Sequence, residues 1–143
     1  MNVLVLEDRG SAAYYVKEWL EKNGHVYIKA LTPNDAQSHW IKRNETPIDC
    51  IMLDLNVPTD GLTEAQKEQS KGGLLSGWLW FRDSVLTQEA MMRQRTIIYS
   101  DYIPVLQETD EDYSGIKLVP KRQRSSTADE VTAWIEELAR TRQ

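Results

Sequence analysis

The chain has 143 residues, of which 41% are hydrophobic and 27% charged, and its formal net charge at pH 7 is −5. This size predicts one domain over residues 1–143, since domains commonly have roughly 100–200 residues. The acidic balance disfavours direct binding of nucleic acid, which depends on phosphate neutralisation. The sequence has no apolar run of about eighteen residues, and its single cysteine, Cys50, cannot form an internal disulfide. Because the N-terminus also lacks signal-peptide character, we expect a cytoplasmic protein that does not enter membranes.

Short apolar runs predict five strands, of which the first, NVLVL, is apolar enough to be covered on both faces. The strands are predicted over residues 2–6, 26–31, 48–53, 96–99 and 116–119. Three-and-four spacing of apolar residues predicts helices that alternate with them, over residues 12–23, 33–44, 74–86, 102–109 and 127–142. The helix starts are indicated by Ser11, by Thr32 before Pro33, and by Thr127 three residues ahead of Glu130.

The connection after the third strand is unusually polar. Residues 59–73 (TDGLTEAQKEQSKGG) contain few apolar side chains and have glycines near both ends, which indicates a long surface loop or a weak helix. The helix that follows carries Trp78, Trp80 and Phe81. We expect these rings to pack on the sheet with one tryptophan partly exposed, rather than to form a stacking platform for a ligand.

The alternation of strands and helices, without an internal repeat, predicts an α/β fold. Such a chain forms a doubly wound parallel sheet with helices on both faces and right-handed crossovers. Ligands of these sheets bind beyond the carboxyl ends of the strands, where the strand order reverses. The residues that directly follow the strands are therefore the first candidates for a functional site.

Polar side chains follow four of the five predicted strands. Glu7 and Asp8 follow the first strand, Asp54 the third, Ser100 the fourth and Lys121 the fifth. Crowded carboxylates repel one another, and a divalent cation that prefers oxygen ligands, such as Mg²⁺, relieves that repulsion. A carboxylate in this position can attack phosphorus and form an aspartyl phosphate, while the metal ion and the lysine neutralise the transferred group.

The acidic pair, the segment LDLNVP, the strand-end serine and the strand-end lysine, in this order, resemble the receiver domain of two-component response regulators. The resemblance covers nearly the whole chain and implies a flavodoxin-like sheet with strand order 2-1-3-4-5. The side-chain roles that it implies are phosphoacceptor for Asp54, switch hydroxyl for Ser100 and phosphate contact for Lys121. The Mg²⁺ ligands that it implies are Glu7, Asp8, Asp54 and the backbone carbonyl of Asn56, with Asp8 a direct ligand.

The resemblance also implies partners. A histidine kinase or a phosphotransfer protein would donate the phosphoryl group, and the protein would take part only in its own phosphorylation and dephosphorylation rather than act as an enzyme. Because the chain ends one helix after the fifth strand, we expect a stand-alone receiver whose output is a change in binding to a downstream protein. The implied output face consists of the fourth helix, the fifth strand and the fifth helix of the predicted alternation. Homodimer formation is left open.

Three features depart from the pattern of receiver domains. The family usually has proline after its lysine, whereas here Pro120 precedes Lys121 and Arg122 follows it. Leu118 occupies the position of the aromatic switch residue, three residues before the lysine. The polar segment at residues 59–73 makes the connection after Asp54 longer than usual.

Two other interpretations stay open. A phosphatase of the haloacid dehalogenase type also pairs an aspartate nucleophile with a hydroxyl and a lysine, but it requires a second aspartate two residues later, where this chain has Asn56. A receiver-like interaction module that binds partners without phosphorylation is compatible with the three departures. Taken singly, the acidic pair could be a solvated turn, Ser100 with Asp101 could cap the fourth helix, and Lys121 could be a surface charge.

Overall fold

The computed structural model describes residues 1–121 and 125–141, excluding the side chains of residues 11, 12 and 125–127. Its centre is a parallel sheet formed by β1 (Asn2–Leu6), β2 (Val26–Ala30), β3 (Cys50–Leu53), β4 (Thr96–Ser100) and β5 (Lys117–Pro120). The strands are hydrogen-bonded in the order β2-β1-β3-β4-β5. The predicted fold class and strand order are therefore confirmed.

Helices cover the sheet and connect its strands. The α-helices of the described residues are α1 (Gly10–Lys22), α2 (Pro33–Trp40), α3 (Glu64–Gln69), α4 (Ser76–Trp80), α5 (Ile103–Gln107) and α6 (Ser125–Thr141). The π-helix Phe81–Leu86 continues α4, and the 3-10 helix Ala90–Arg95 precedes β4. Within the described part of the chain, every helix is too short or too polar to cross a membrane.

The helix starts agree only in part with the sequence prediction. Thr32 caps α2 as predicted, because its hydroxyl oxygen accepts from the amide of Asp35 (3.1 Å). The prediction that Ser11 caps α1 is wrong, since α1 begins at Gly10, one residue before Ser11. The backbone just before the helix is instead bonded to Glu7, whose Oε1 accepts from the amide of Arg9 (3.0 Å). The start of α6 lies two residues before Thr127, whose side chain falls outside the described residues.

Apolar side chains are buried on both faces of the sheet, as the continuous apolar strands predict. One core lies between the sheet and α1 with α6, and the other lies between the sheet and α2, α4 and α5. Trp78, Trp80 and Phe81 are all buried in the second core, so the expectation of a partly exposed tryptophan is wrong. The reason is that α2 packs against the helix that carries these rings. Oε1 of Gln37 in α2 accepts a hydrogen bond from the indole N–H of Trp80 (2.9 Å).

The polar segment at residues 59–73 contains the ordered helix α3. Thr63 and Gln66 form a reciprocal capping box at its start, in which each side chain accepts from the other residue's amide (3.1 and 2.8 Å). Near the beginning of the segment, Gly61 packs against Asn34 at the start of α2, and the amide of Asn34 donates to the carbonyl of Asp60 (2.9 Å). The segment is thus attached to the body of the protein before α3 starts.

The start of α4 packs directly on the backbone that follows β3. The amide of Gly77 donates to the carbonyl of Leu55 (2.9 Å). A Cβ atom at Gly77 would lie 2.0 Å from the carbonyl oxygen of Asp54, a distance that no side chain permits. Glycine at this position therefore allows the helix after the inserted segment to contact the candidate phosphoacceptor.

Arg82 joins three segments at the far side of α3. Its guanidinium donates to Glu111, to Gln69 of α3 (2.9 Å) and to the neighbouring Asp83 (2.7 Å). Asp83 in turn accepts from the side-chain amide of Gln66 (2.8 Å). These bonds connect the inserted segment to the π-helix and to the loop that leads to β5.

Gly77→Ala is expected to lower the free energy of unfolding by about 3 kcal/mol, because the added methyl group overlaps a backbone oxygen and the helix or the strand end must move. Gly10→Ala is the matched control, since its methyl group would meet nothing within 4 Å; we expect a change below about 0.5 kcal/mol. Urea unfolding followed by tryptophan fluorescence measures both. Equal stability of the two variants would contradict the close contact at Gly77.

Arg82→Gln is expected to loosen the inserted segment while the sheet stays folded. Amide hydrogen exchange in residues 62–73 and 108–113 should become faster by about fivefold or more. Local opening of these residues costs less free energy in the variant, because the hydrogen bonds of the guanidinium group no longer have to be broken. Lys67→Gln serves as control, since it removes only an exposed pair with Glu64 (3.3 Å) within α3. Unchanged exchange in Arg82→Gln would show that the network does not hold the segment.

Candidate functional site

The sheet places Glu7 and Asp54 side by side. Strands β1 and β3 are neighbours, and their register pairs Leu6 with Leu53. The next residue of each strand is therefore an acid, and the amide of Asp54 donates to the carbonyl of Leu6 (2.9 Å). Both carboxylates are almost fully buried, with 3% and 7% of the residue exposed. Two acids at adjacent strand ends repel each other strongly in such surroundings.

Lys121 supplies the compensating positive charge. Its ammonium group donates to Oε2 of Glu7 and to Oδ2 of Asp54, the latter at 2.9 Å. The lysine side chain is only 12% exposed, so the three charges share one mostly buried site. Such a bridge stabilises the arrangement only because each charge has a partner.

Burial and the neighbouring charges shift the pKa values of Glu7 and Lys121. Burial, and after it the charge of Asp54, raise the pKa of Glu7 from 4.5 to about 7, although Lys121 and the amide of Arg9 oppose the shift. Burial acts to lower the pKa of Lys121, but the charges and hydrogen bonds of the two carboxylates outweigh it and raise that pKa. The lysine is therefore protonated at neutral pH, whereas Glu7 exchanges its proton near neutrality.

A group of carboxylate oxygens in this site fits a divalent cation. One carboxylate oxygen each from Glu7, Asp8 and Asp54 lies within 4.8 Å of the others, and Asp8 is the exposed member of the three. Hard oxygen donors with one side open to solvent suit Mg²⁺, which keeps several water ligands. Asn56 follows closely, and its amide donates to Oδ1 of Asp54 (3.4 Å); its carbonyl as a ligand stays a prediction.

Ser100 lies at the same edge of the sheet and is fully buried. Its hydroxyl oxygen accepts from the amide of Leu55 (3.4 Å) and from the amide of Tyr102 (3.1 Å). Tyr102 is the residue before α5, so the serine contacts both the backbone after Asp54 and the start of that helix. A change at the carboxylate can thus be passed to α5 through a single side chain.

All four strand exits of the sequence prediction meet at one place. Glu7, Asp8, Asp54 and Lys121 form one cluster, and Ser100 borders it through the backbone of residue 55. The sequence reasoning missed Gly77, whose lack of a side chain lets α4 touch the carbonyl of Asp54. No local signal marks this glycine, because its role depends on how far α4 lies from β3.

The pKa of Glu7 leads to a prediction for the metal-free protein. Since the folded state holds this proton more tightly than the unfolded chain does, the contribution of Glu7 to the free energy of unfolding falls as pH rises from about 5 to about 8. In EDTA, the stability of wild type minus that of Glu7→Gln should fall by at most about 1.4 kcal/mol per pH unit. Urea unfolding of both proteins across this range measures the difference. A difference that grows with pH would contradict the raised pKa.

Comparisons with solved structures agree with this fold. No family model matches the chain, and no curated protein matches it. Among solved structures, a response regulator receiver domain protein from Clostridium thermocellum is 17% identical with a TM-score of 0.68, and the match covers 99% of this chain and 95% of that chain. The receiver domain of a Francisella response regulator is 20% identical with a TM-score of 0.65, over 99% and 98% of the two chains.

A sensor protein from Polaromonas sp. JS666 is similar to the same extent, with 15% identity, a TM-score of 0.66 and coverage of 96% and 94%. At these identities the likeness establishes the fold. The chain has the fold of response regulator receiver domains over nearly its whole length, as its sequence resemblance predicts.

Proposed function

We propose that this protein is a receiver that accepts a phosphoryl group on Asp54 from the phosphohistidine of a histidine kinase or a phosphotransfer protein. The observation that carries the proposal is the position of this carboxylate. It is buried at a strand end, bonded to Lys121 and within 4.8 Å of oxygens from Glu7 and Asp8. Among the described residues, this cluster combines a carboxylate nucleophile with a lysine and further acids at the switch-point edge of the sheet.

In the proposed reaction, a carboxylate oxygen of Asp54 attacks phosphorus and forms an O–P bond while the P–N bond to the donor imidazole breaks. The donor imidazole carries a proton on its other ring nitrogen, so it keeps the electron pair of the broken bond and leaves as the neutral ring. Lys121 already donates to Asp54 and neutralises part of the charge on the transferred group. Mg²⁺ held by Glu7, Asp8, Asp54 and the carbonyl of residue 56 would add positive charge at the phosphoryl oxygens.

Ser100 provides the link from chemistry to output. In the proposed switch its hydroxyl donates to a phosphoryl oxygen and leaves the amides of Leu55 and Tyr102, which biases the arrangement of the loop before α5. A groove between α5 and β5, lined by Ile103, Pro104 and Leu118 among others, lies next to this loop. We propose that a downstream protein binds at the α5–β5–α6 face in the cytoplasm and that the chain acts on no substrate other than itself.

A second function, binding of partners without phosphorylation, is supported by one observation. The ammonium group of Lys121 pairs with both Glu7 and Asp54. An ion-paired cluster of this kind can serve as a structural element that ties the end of β5 to the ends of β1 and β3. The two functions differ in whether partner binding responds to a phosphodonor.

Phosphorylation of Asp54 is tested by incubation with phosphoramidate and Mg²⁺, followed by intact-mass spectrometry. Wild type is expected to gain one phosphoryl group, and Asp54→Asn is expected to gain none because an amide is not a nucleophile here. Asp101→Asn is the matched control, since this exposed acid at the same edge of the sheet should leave the gain unchanged. EDTA should slow the reaction by at least about tenfold.

An equal gain of phosphoryl groups in Asp54→Asn and wild type would contradict the proposed function. No labelling of wild type, together with partner binding that ignores the phosphodonor, would favour the interaction module instead. Repeated turnover of p-nitrophenyl phosphate would favour a phosphatase of the haloacid dehalogenase type.

A further inference from the structure

The side chain of Lys121 spans a long distance to reach the acids. Strand β5, which precedes it, is separated from β3 by the whole of β4. With neighbouring strands about 4.8 Å apart, the lysine starts about 10 Å from the strand that carries Asp54. It must therefore cross the carboxyl end of β4 to donate to that carboxylate.

Tyr99, the second-last residue of β4, lies close to the side chain of Lys121. The register of β4 with β5 pairs Tyr99 with Val119, and both side chains belong to the core on the α1 and α6 side. Lys121 is the first residue after β5, beside the end of β4, which carries Tyr99 and Ser100. The tyrosine ring is 5% exposed, and the lysine nitrogen lies 5.6 Å from the ring centroid.

This placement has an electrostatic consequence. The face of an aromatic ring is negative, and a cation within about 6 Å of its centre is attracted, more strongly where water is excluded. Burying an ammonium group is costly unless each side of it meets a negative or polar surface. The ammonium of Lys121 is paired with Glu7 and Asp54, and it also lies 5.6 Å from the centre of the Tyr99 ring.

We propose that Tyr99 is a positioning residue whose ring holds the ammonium group of Lys121 at the two carboxylates. In this role the tyrosine acts on the site through the lysine. The consequence for phosphoryl transfer rests on the proposed function of Asp54. The placement of the lysine on the ring is independent of that function and can be measured separately.

The two substitutions that separate the ring from its bulk are Tyr99→Phe and Tyr99→Leu. Phenylalanine keeps the aromatic face and removes the hydroxyl group, whereas leucine keeps an apolar side chain and removes the aromatic face. Lys121→Met identifies the NMR resonances of Lys121, because they disappear in this variant. It also gives the phosphorylation rate in the absence of the ammonium group. Tyr99→Met, which is flexible and fills space well, replaces the leucine variant if thermal unfolding shows that leucine is not tolerated.

The first measurement is the chemical shift of the Lys121 side-chain methylene protons, which a nearby ring face moves upfield. We expect this upfield shift in wild type and Tyr99→Phe and its loss in Tyr99→Leu. The second measurement is the rate of phosphorylation by phosphoramidate, which should stay within about twofold in Tyr99→Phe and fall about tenfold in Tyr99→Leu. In the Lys121→Met background, Tyr99→Leu should have no further effect on that rate.

Three results would overturn the inference. The first is the absence of an upfield shift in wild type. The second is a wild-type phosphorylation rate in Tyr99→Leu while Lys121→Met is slow. The third is an equal loss of phosphorylation rate in Tyr99→Phe and Tyr99→Leu, which would assign the effect to the hydroxyl group. If wild type accepts no phosphoryl group at all, the proposed function fails, and the chemical shifts alone decide the position of Lys121 on the ring.

Discussion

The site depends on one bridge, in which the ammonium of Lys121 binds the carboxylates of Glu7 and Asp54. Hydrogen bonding between β1 and β3 places these two acids next to each other, and burial of the apolar strands removes water from around them. Neither charge could stay there unpaired, because loss of one partner of a buried ion pair typically costs about 3–5 kcal/mol. The side chain of Lys121 passes over the end of β4 to pair with both acids, and these ion pairs connect the end of β5 with the ends of β1 and β3.

The bridge leaves the site incompletely neutralised. When all groups are ionised, the carboxylates of Glu7, Asp8 and Asp54 carry three negative charges against one positive charge on Lys121, which leaves two unit negative charges. That remainder equals the charge of one divalent cation. Burial of Glu7, and after it the charge of Asp54, raise the pKa of Glu7 to about 7, so a proton on Glu7 removes part of this negative charge in the metal-free protein.

The strands and the strand-exit acids could be predicted because their signals are local. Apolar runs such as NVLVL specify buried parallel strands, and the parallel order alone brings Glu7 and Asp54 to one edge. Features that depend on distances between elements could not be predicted in this way. The contact of Gly77 with Asp54 and the burial of Trp78 both require the position of α4. The capping box at Thr63 was a readable signal for α3, but the polar composition of the segment outweighed it.

The segment at residues 59–73 follows closely after the candidate phosphoacceptor, and the strand ends still bring Glu7, Asp54 and Lys121 together. The physical reason is that the two ends of the segment are fixed independently, by Gly61 against Asn34 and by Gly77 against the backbone of Asp54. Extra residues between fixed ends add little entropy cost, since the cost of closing a loop grows only slowly with its length. Arg82 then binds the extra helix to the body of the protein. The added length is therefore accommodated at the surface, where α3 has no buried residue, while the chemistry of the site is set by the strand ends.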